Sequence, residues 1–504
     1  MKKLISLLLV PVFLFSGCIE RKVSVDLKNK EYAVYSITKF PEDLILLNKL
    51  NMRNSDILIS LFEGLVKKDS EGNILPALAE SWKINKEKTI YTFKIRKNAI
   101  WSDGSKITSK DFVDFFSSIL NVNTNNIYDY QLFSIFGAKD YRKGKIEFDK
   151  TAIKSIDDDL LEIRLNTPCN YLLDILSNPI YSLRKIDDNL KYWKDNYNKL
   201  VFSGPYIIKN IEYNEVKIEK NMYYWDKENV TNKTMNIIDD ESNEGKLAAF
   251  QAFKADFFTD PPLSEIDTLK SKDEIIEFKS NRSKVLAFNF KSEKIKDKEF
   301  RRKINNSIER EKICNNILKS TGEVWKFNLV DNKNINTKHS NKETKFESLN
   351  LIYENTIENK KVVEEIEKNL KEKLNLDIES TSYDEEVFIN KLRGKEYDIA
   401  LVTFTKEYKN PISYFEKFLK DSNYNFFQYN NYNYDSLVYK AKVEINESKQ
   451  KELLNKAEKI LITDLPIVPL YNCKNVICKK EYIYDIQVNY NGNILLNKII
   501  FNRT

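Results

Sequence analysis

The stretch Leu61 to Asp111, LFEGLVKKDSEGNILPALAESWKINKEKTIYTFKIRKNAIWSDGSKITSKD, sets out a turn, a hairpin and a helix start in that order. Tyr91, Phe93 and Ile95 alternate with Thr92, Lys94 and Arg96, the period of a strand with one buried face. A turn follows at Asp103 and Gly104, where glycine accepts a positive φ without steric cost. Thr108 stands three places before Asp111, a loose capping box with Asp where Glu or Gln is usual. It opens the apolar run Phe112, Val113, Phe115 and Phe116.

In residue and order this string resembles the signature of the extracellular solute-binding proteins of peptide ABC importers, the oligopeptide-binding family. The matching residues are Phe62 to Leu65 (FEGL), Pro76 to Trp82 (PALAESW), Tyr91 to Arg96 (YTFKIR) and Trp101 to Gly104 (WSDG). Ser203 to Tyr206 resemble the family's NGPY turn, and Lys220, Asn221, Tyr224, Trp225 and Asp226 resemble its KNPxYWD motif, with Met222 as a departure. Asp297, Arg301, Arg302, Glu309 and Arg310 resemble its arginine-bearing helix, and the Pro466 to Pro469 turn its PxxPLY segment. The resemblance implies an α/β, periplasmic-binding-protein-like fold: two α/β lobes joined by a hinge, with an additional inserted domain that makes three lobes. It places lobe I at 31–64, 188–284 and 478–504, an inserted lobe II at 65–187, and lobe III at 285–477. Most signature residues read as packing rather than ligand contacts, and Arg301 and Arg310 as a solvated or lobe-bridging helix face.

The chain opens with Lys2 and Lys3, an apolar run from Leu4 to Phe15, and then Ser16, Gly17 and Cys18. That order reads as an export signal over 1–17, too short for the ~20 residues of a membrane-spanning helix. Cleavage before Cys18 with lipid on its sulfur would resemble a bacterial lipoprotein, with 18–30 as the linker from the anchor. The alternative is an ordinary secretory signal and an incidental cysteine. Localisation is then extracytoplasmic, on the cell membrane through the lipid. A charged fraction of 31% with 12% aromatic residues is a globular composition, and a net charge of +6 over 504 residues argues against a nucleic-acid partner. Cys473 and Cys478 fall on one expected strand, five steps of ~3.3 Å apart, which is beyond disulfide reach. The only histidine, His339, sits among lysines, which disfavours a Ser-His-Asp or Cys-His site and with it a secreted hydrolase. Neither catalysis nor a metal or cofactor is expected.

The ligand site is expected at Thr403 to Phe415, TFTKEYKNPISYF. This segment resembles the family's W-x-A-D-Y-x-x-P, in which the acid binds the ammonium of the peptide's N-terminus. The resemblance gives Phe404 the aromatic place, Glu407 the acidic one and Tyr408 the tyrosine. A buried ammonium needs an opposite charge and charge-assisted hydrogen bonds. From the residues alone, Glu407 reads equally as an exposed loop glutamate. The function implied is a lipid-anchored, monomeric receptor that captures short peptides by strand addition and delivers them to the permease of an ABC importer. A nickel chelate, haem, a sugar or a signalling peptide in the same fold is the alternative.

Overall fold

The computed structural model describes residues 32–47, 52–325 and 348–501; Cys18 and His339 lie outside them. The signature stretch folds as its pattern predicts. Ala79–Ile84 and Ile90–Ile95 pair antiparallel, with Tyr91, Phe93 and Ile95 buried. The Thr108 amide and hydroxyl both donate to Asp111, at 2.7 and 2.8 Å, so Asp closes the box at the head of helix Ser109–Leu120. That helix buries Phe112, Phe115, Phe116 and Ile119. Leu160–Arg164 and Ile153–Asp157 complete a four-stranded antiparallel sheet. A short helix, Leu172–Leu176, follows, and just before it the Cys169 carbonyl accepts from the Tyr91 hydroxyl across the core.

An eleven-stranded mixed sheet organises the other described residues. Its middle is a ribbon of two long antiparallel strands, Ile275–Phe288 and Ile467–Lys479. To one side lie Phe257–Thr259, Tyr32–Ile37, Thr234–Asp239, Glu215–Lys220 and Tyr206–Glu212, over a core that includes Tyr35, Trp193 and Ile237. To the other side lie Ile399–Thr405, Ser348–Glu354 and Asp377–Tyr383. There Leu286, Leu351, Leu401 and Val468 form a second core with helix Ile357–Leu374, whose Val362, Val363, Ile366 and Leu370 are buried as its spacing predicts. The ribbon is not regular. Lys279 pairs with Lys474 and Ser283 with Asn472, so four steps on one strand oppose two on the other. Pro469, expected in a turn, lies inside a strand, beside a second register slip that leaves Leu470 without an opposite residue. Proline is tolerated at such a bulge.

The family-like motifs converge on one another. Glu63 of FEGL accepts from the Tyr224 hydroxyl at 2.7 Å and from the Trp225 indole, and Lys67 lies 3.0 Å away. The Arg96 guanidinium, at the end of YTFKIR, stacks 3.6 Å from the Trp225 ring centroid. Three motifs apart in sequence thus form one half-buried polar node around the buried Glu63 and Tyr224. Arg301 corrects the expectation of a solvated face: it is 3% exposed, and its guanidinium donates to the carbonyls of Ile295, Lys296, Asp464 and Leu465. Arg310 likewise clamps the Pro469 carbonyl at 2.7 Å. Cys169, Cys314, Cys473 and Cys478 are free thiols; burial pushes the first two up to about 12, so they stay protonated.

Candidate ligand-binding site

The strand Ile399–Thr405 begins as a sheet-interior strand and ends as an edge. Ile399 and Leu401 face one core while Ala400, Val402 and Phe404 face another, the pattern of a strand covered on both sides. Its parallel pairing with Ser348–Glu354 stops at Leu401 opposite Tyr353. Its antiparallel pairing with Ile275–Phe288 continues to Thr405 opposite Arg282. The Asn289 amide donates to Asp398 and the Lys406 amide to Asn281, both at 2.9 Å, closing the two ends of that ladder. Hydrogen-bonded pairs alternate along an antiparallel ladder. The even-numbered residues therefore bond across it, and the N–H and C=O groups of Thr403 and Thr405 point the other way.

They point into a cavity of about 750 Å³ lined by Lys284, Thr403, Thr405, Glu407, Lys417 and Tyr424, with Asn126, Ile127 and Asp129 of the four-stranded unit opposite. Lys284 is 7% exposed, and its ammonium donates to the Thr403 hydroxyl at 2.8 Å. Lys284, Glu354 and Thr403 also line a neighbouring cavity of about 560 Å³ that runs toward Asp260 and Arg282. Phe404 lies under the first cavity, 7% exposed, packed on Tyr414, Phe418 and Phe427 with ring centroids 5.6 to 6.2 Å away.

Beyond the edge, the chain turns through Pro411 into the single helical turn Ile412–Phe415 and its tighter continuation Glu416–Phe418. A spacing of four brings Ser413 and Lys417 to one face. Both meet Glu407. Lys417 donates to each carboxylate oxygen at 2.9 Å, and the Ser413 hydroxyl donates to Oε2 at 3.1 Å. The Lys417 side chain is 3% exposed and that of Glu407 12%, so this is a buried ion pair. Removing one partner from such a pair costs about 3–5 kcal/mol, because the other is left charged and dry. The Lys417 ammonium also sits 4.1 Å from the Tyr424 ring centroid. Tyr424 meets Tyr130 edge to face, and burial, followed by the Glu407 charge, raises both phenols well above 10.

Of the residues singled out from sequence, Phe404 and Glu407 therefore share one cavity. Tyr408 does not line it. It is 1% exposed, stacked on Tyr171, and its hydroxyl donates to Glu416 at 2.6 Å. The strand ends at Thr405, so its alternation does not carry through to Tyr408, whose ring is set instead by its stack on Tyr171. Lys284 and Lys417 were missed; the signal for Lys417 was its place four residues after Ser413, just past the proline that starts the helix.

Residues 73–326, just over half of the chain, match the family model "Bacterial extracellular solute-binding proteins, family 5 Middle". The chain is 25% identical over 460 residues to a dipeptide-binding protein of Bacillus subtilis, covering 85% of this chain and 84% of the relative. It is 24% identical over 479 residues to the oligopeptide-binding protein of the same organism, 88% of each. Among solved structures, the murein tripeptide binding protein of Escherichia coli superposes with a TM-score of 0.80 at 19% identity, over 94% of this chain and 99% of that one. With the sheet order, the inserted four-stranded unit and the edge at Thr403 already described, these likenesses identify the chain as a member of family 5 of the bacterial extracellular solute-binding proteins, with their multi-lobed α/β fold.

Proposed function

We propose that this protein is the peptide-capturing receptor of an ABC importer, tethered to the membrane by lipid on Cys18 and delivering its ligand to the permease. The edge at Thr403 and Thr405 carries the reading. It offers main-chain donors and acceptors to an extended chain, a bonding pattern that any peptide can satisfy whatever its side chains. At roughly 0.5–1.5 kcal/mol net for each hydrogen bond, several such bonds give useful affinity without reading sequence. The cavity beside that edge, about 750 Å³ with its neighbour of about 560 Å³, leaves room for varied side chains. Two of the relatives described above are named for binding dipeptides and oligopeptides, which supports the same ligand class.

Mass spectrometry of whatever remains bound after gentle purification from peptide-rich cells tests the ligand class. A ladder of short mixed peptides is the expected outcome, and a single non-peptide mass would replace the substrate while leaving the fold intact. The tether is tested separately by Cys18→Ser, which should move the protein from the membrane fraction to the medium; retention of that variant on the membrane would refute the lipid anchor.

A further inference from the structure

The acidic group beside the exposed edge has its counter-charge already in place. Glu407 receives two bonds from Lys417 and one from Ser413, using three of its roughly four acceptor positions. Lys417 is not placed to swing aside. Its helical turn is anchored by buried Ile412, Phe415 and Phe418, its stem is enclosed, and its ammonium lies against the Tyr424 ring. Displacing it would leave a cation dry beside a phenol face. Asp129, across the cavity from Glu407, is itself paired with Arg142 at 2.5 Å. A ligand ammonium entering here would shed its water and meet carboxylates whose bonds are already made, and such a charge is not compensated.

We infer that Lys417 supplies from within the chain the ammonium that Glu407 holds, so that this end of the cavity accepts peptides whose amino end is uncharged, such as N-acylated or N-formylated ones, as readily as free-amine peptides. The inference rests on the peptide-receptor reading and adds a specificity to it. A chain-borne ammonium makes recognition at this end a matter of main-chain pairing and shape, with charge removed from the selection.

Isothermal titration with one peptide sequence in two forms, free-amine and N-acetylated, tests this on the full mature protein. Wild type should bind the two with affinities within about threefold, less than 1 kcal/mol apart. Lys417→Met uncovers Glu407 and should favour the free amine by about tenfold or more. The further change Glu407→Gln in that variant should abolish the preference. A wild-type preference for the free amine of about tenfold or more overturns the inference while upholding the peptide reading. An unchanged ratio in folded Lys417→Met overturns the role of Lys417. Failure of wild type to bind either form overturns the peptide reading and the inference with it. If Lys417→Met does not fold, the wild-type ratio decides alone.

Discussion

The rings of Tyr171 and Tyr408 lie face to face, with centroids 5.3 Å apart and planes 4° from parallel. Tyr171 belongs to the segment that follows the four-stranded unit, and Tyr408 follows the strand that ends in the exposed edge. The pair joins the apolar interiors of the two regions into one continuous core. Glu416 accepts from the Tyr408 hydroxyl and pairs with Lys442 at 3.1 Å, so the only polar atom of the Tyr408 side chain is satisfied away from the cavity.

Tyr171→Ala removes one ring of that stack and leaves a cavity, at a cost of about 3–5 kcal/mol by analogy with other buried aromatics. Chemical denaturation should show the lower midpoint. Tyr408→Phe keeps the stack, and its peptide affinity should stay within about twofold of wild type. A large affinity loss in Tyr408→Phe would return that residue to the binding site.

Glu63→Leu leaves the buried Tyr224 hydroxyl and Trp225 indole N–H without their acceptor, at about 1–3 kcal/mol for each orphaned group. Thermal melting should fall clearly, whereas affinity measured on the folded fraction should not. An unaltered melt would show that water replaces the carboxylate at no cost.

Thr405→Pro deletes one amide that faces the cavity. It does not touch the ladder to Ile275–Phe288, so the fold should hold. Peptide affinity should drop by about three- to tenfold, the worth of one hydrogen bond, while Thr405→Val binds as wild type. Equal affinities for all three proteins would exclude strand addition at this edge.

Glu277 lies on the long ribbon between Lys270 at 2.8 Å and Lys474 at 2.7 Å. Burial pushes its carboxyl up, but the two lysine bonds outweigh that and hold it below its ordinary 4.5. A depressed acid stabilises the fold above its unfolded value, and that contribution disappears as pH falls through the folded one. Stability should therefore decline more steeply below about pH 4.5 in wild type than in Glu277→Gln, as read from urea midpoints across pH. Parallel profiles would mean that the lysines do not act on Glu277.

Where local pattern coincided with tertiary role, the sequence could be read directly. The alternation at Tyr91, Phe93 and Ile95 and the Thr108–Asp111 box each appear as written. The resemblance led to the strand beside the cavity and to Glu407. What it could not supply were partners fixed by packing. Arg301 looks like a surface charge until four carbonyls surround it, and Pro469 looks like a turn until a slipped register makes room for it. Lys417 was within reach of local reasoning. Tyr408 lies past the end of the strand, and its stack on Tyr171 is fixed by packing that the segment itself does not spell out.

The unequal stretch of the ribbon between Lys279 and Ser283 has a mechanical meaning. Two surplus residues on one strand leave slack in the ladder where the two halves of the great sheet meet, and pairing resumes on either side of it. Asn281 sits in that slack and grips Lys406 twice, through its carbonyl and through its side-chain amide, each at 2.9 Å. Lys406 lies between Thr405 and Glu407, the two residues on either side of it that line the cavity. The slack in the ribbon and the strand that ends in the exposed edge are therefore fastened to each other directly, with no relay of intervening side chains.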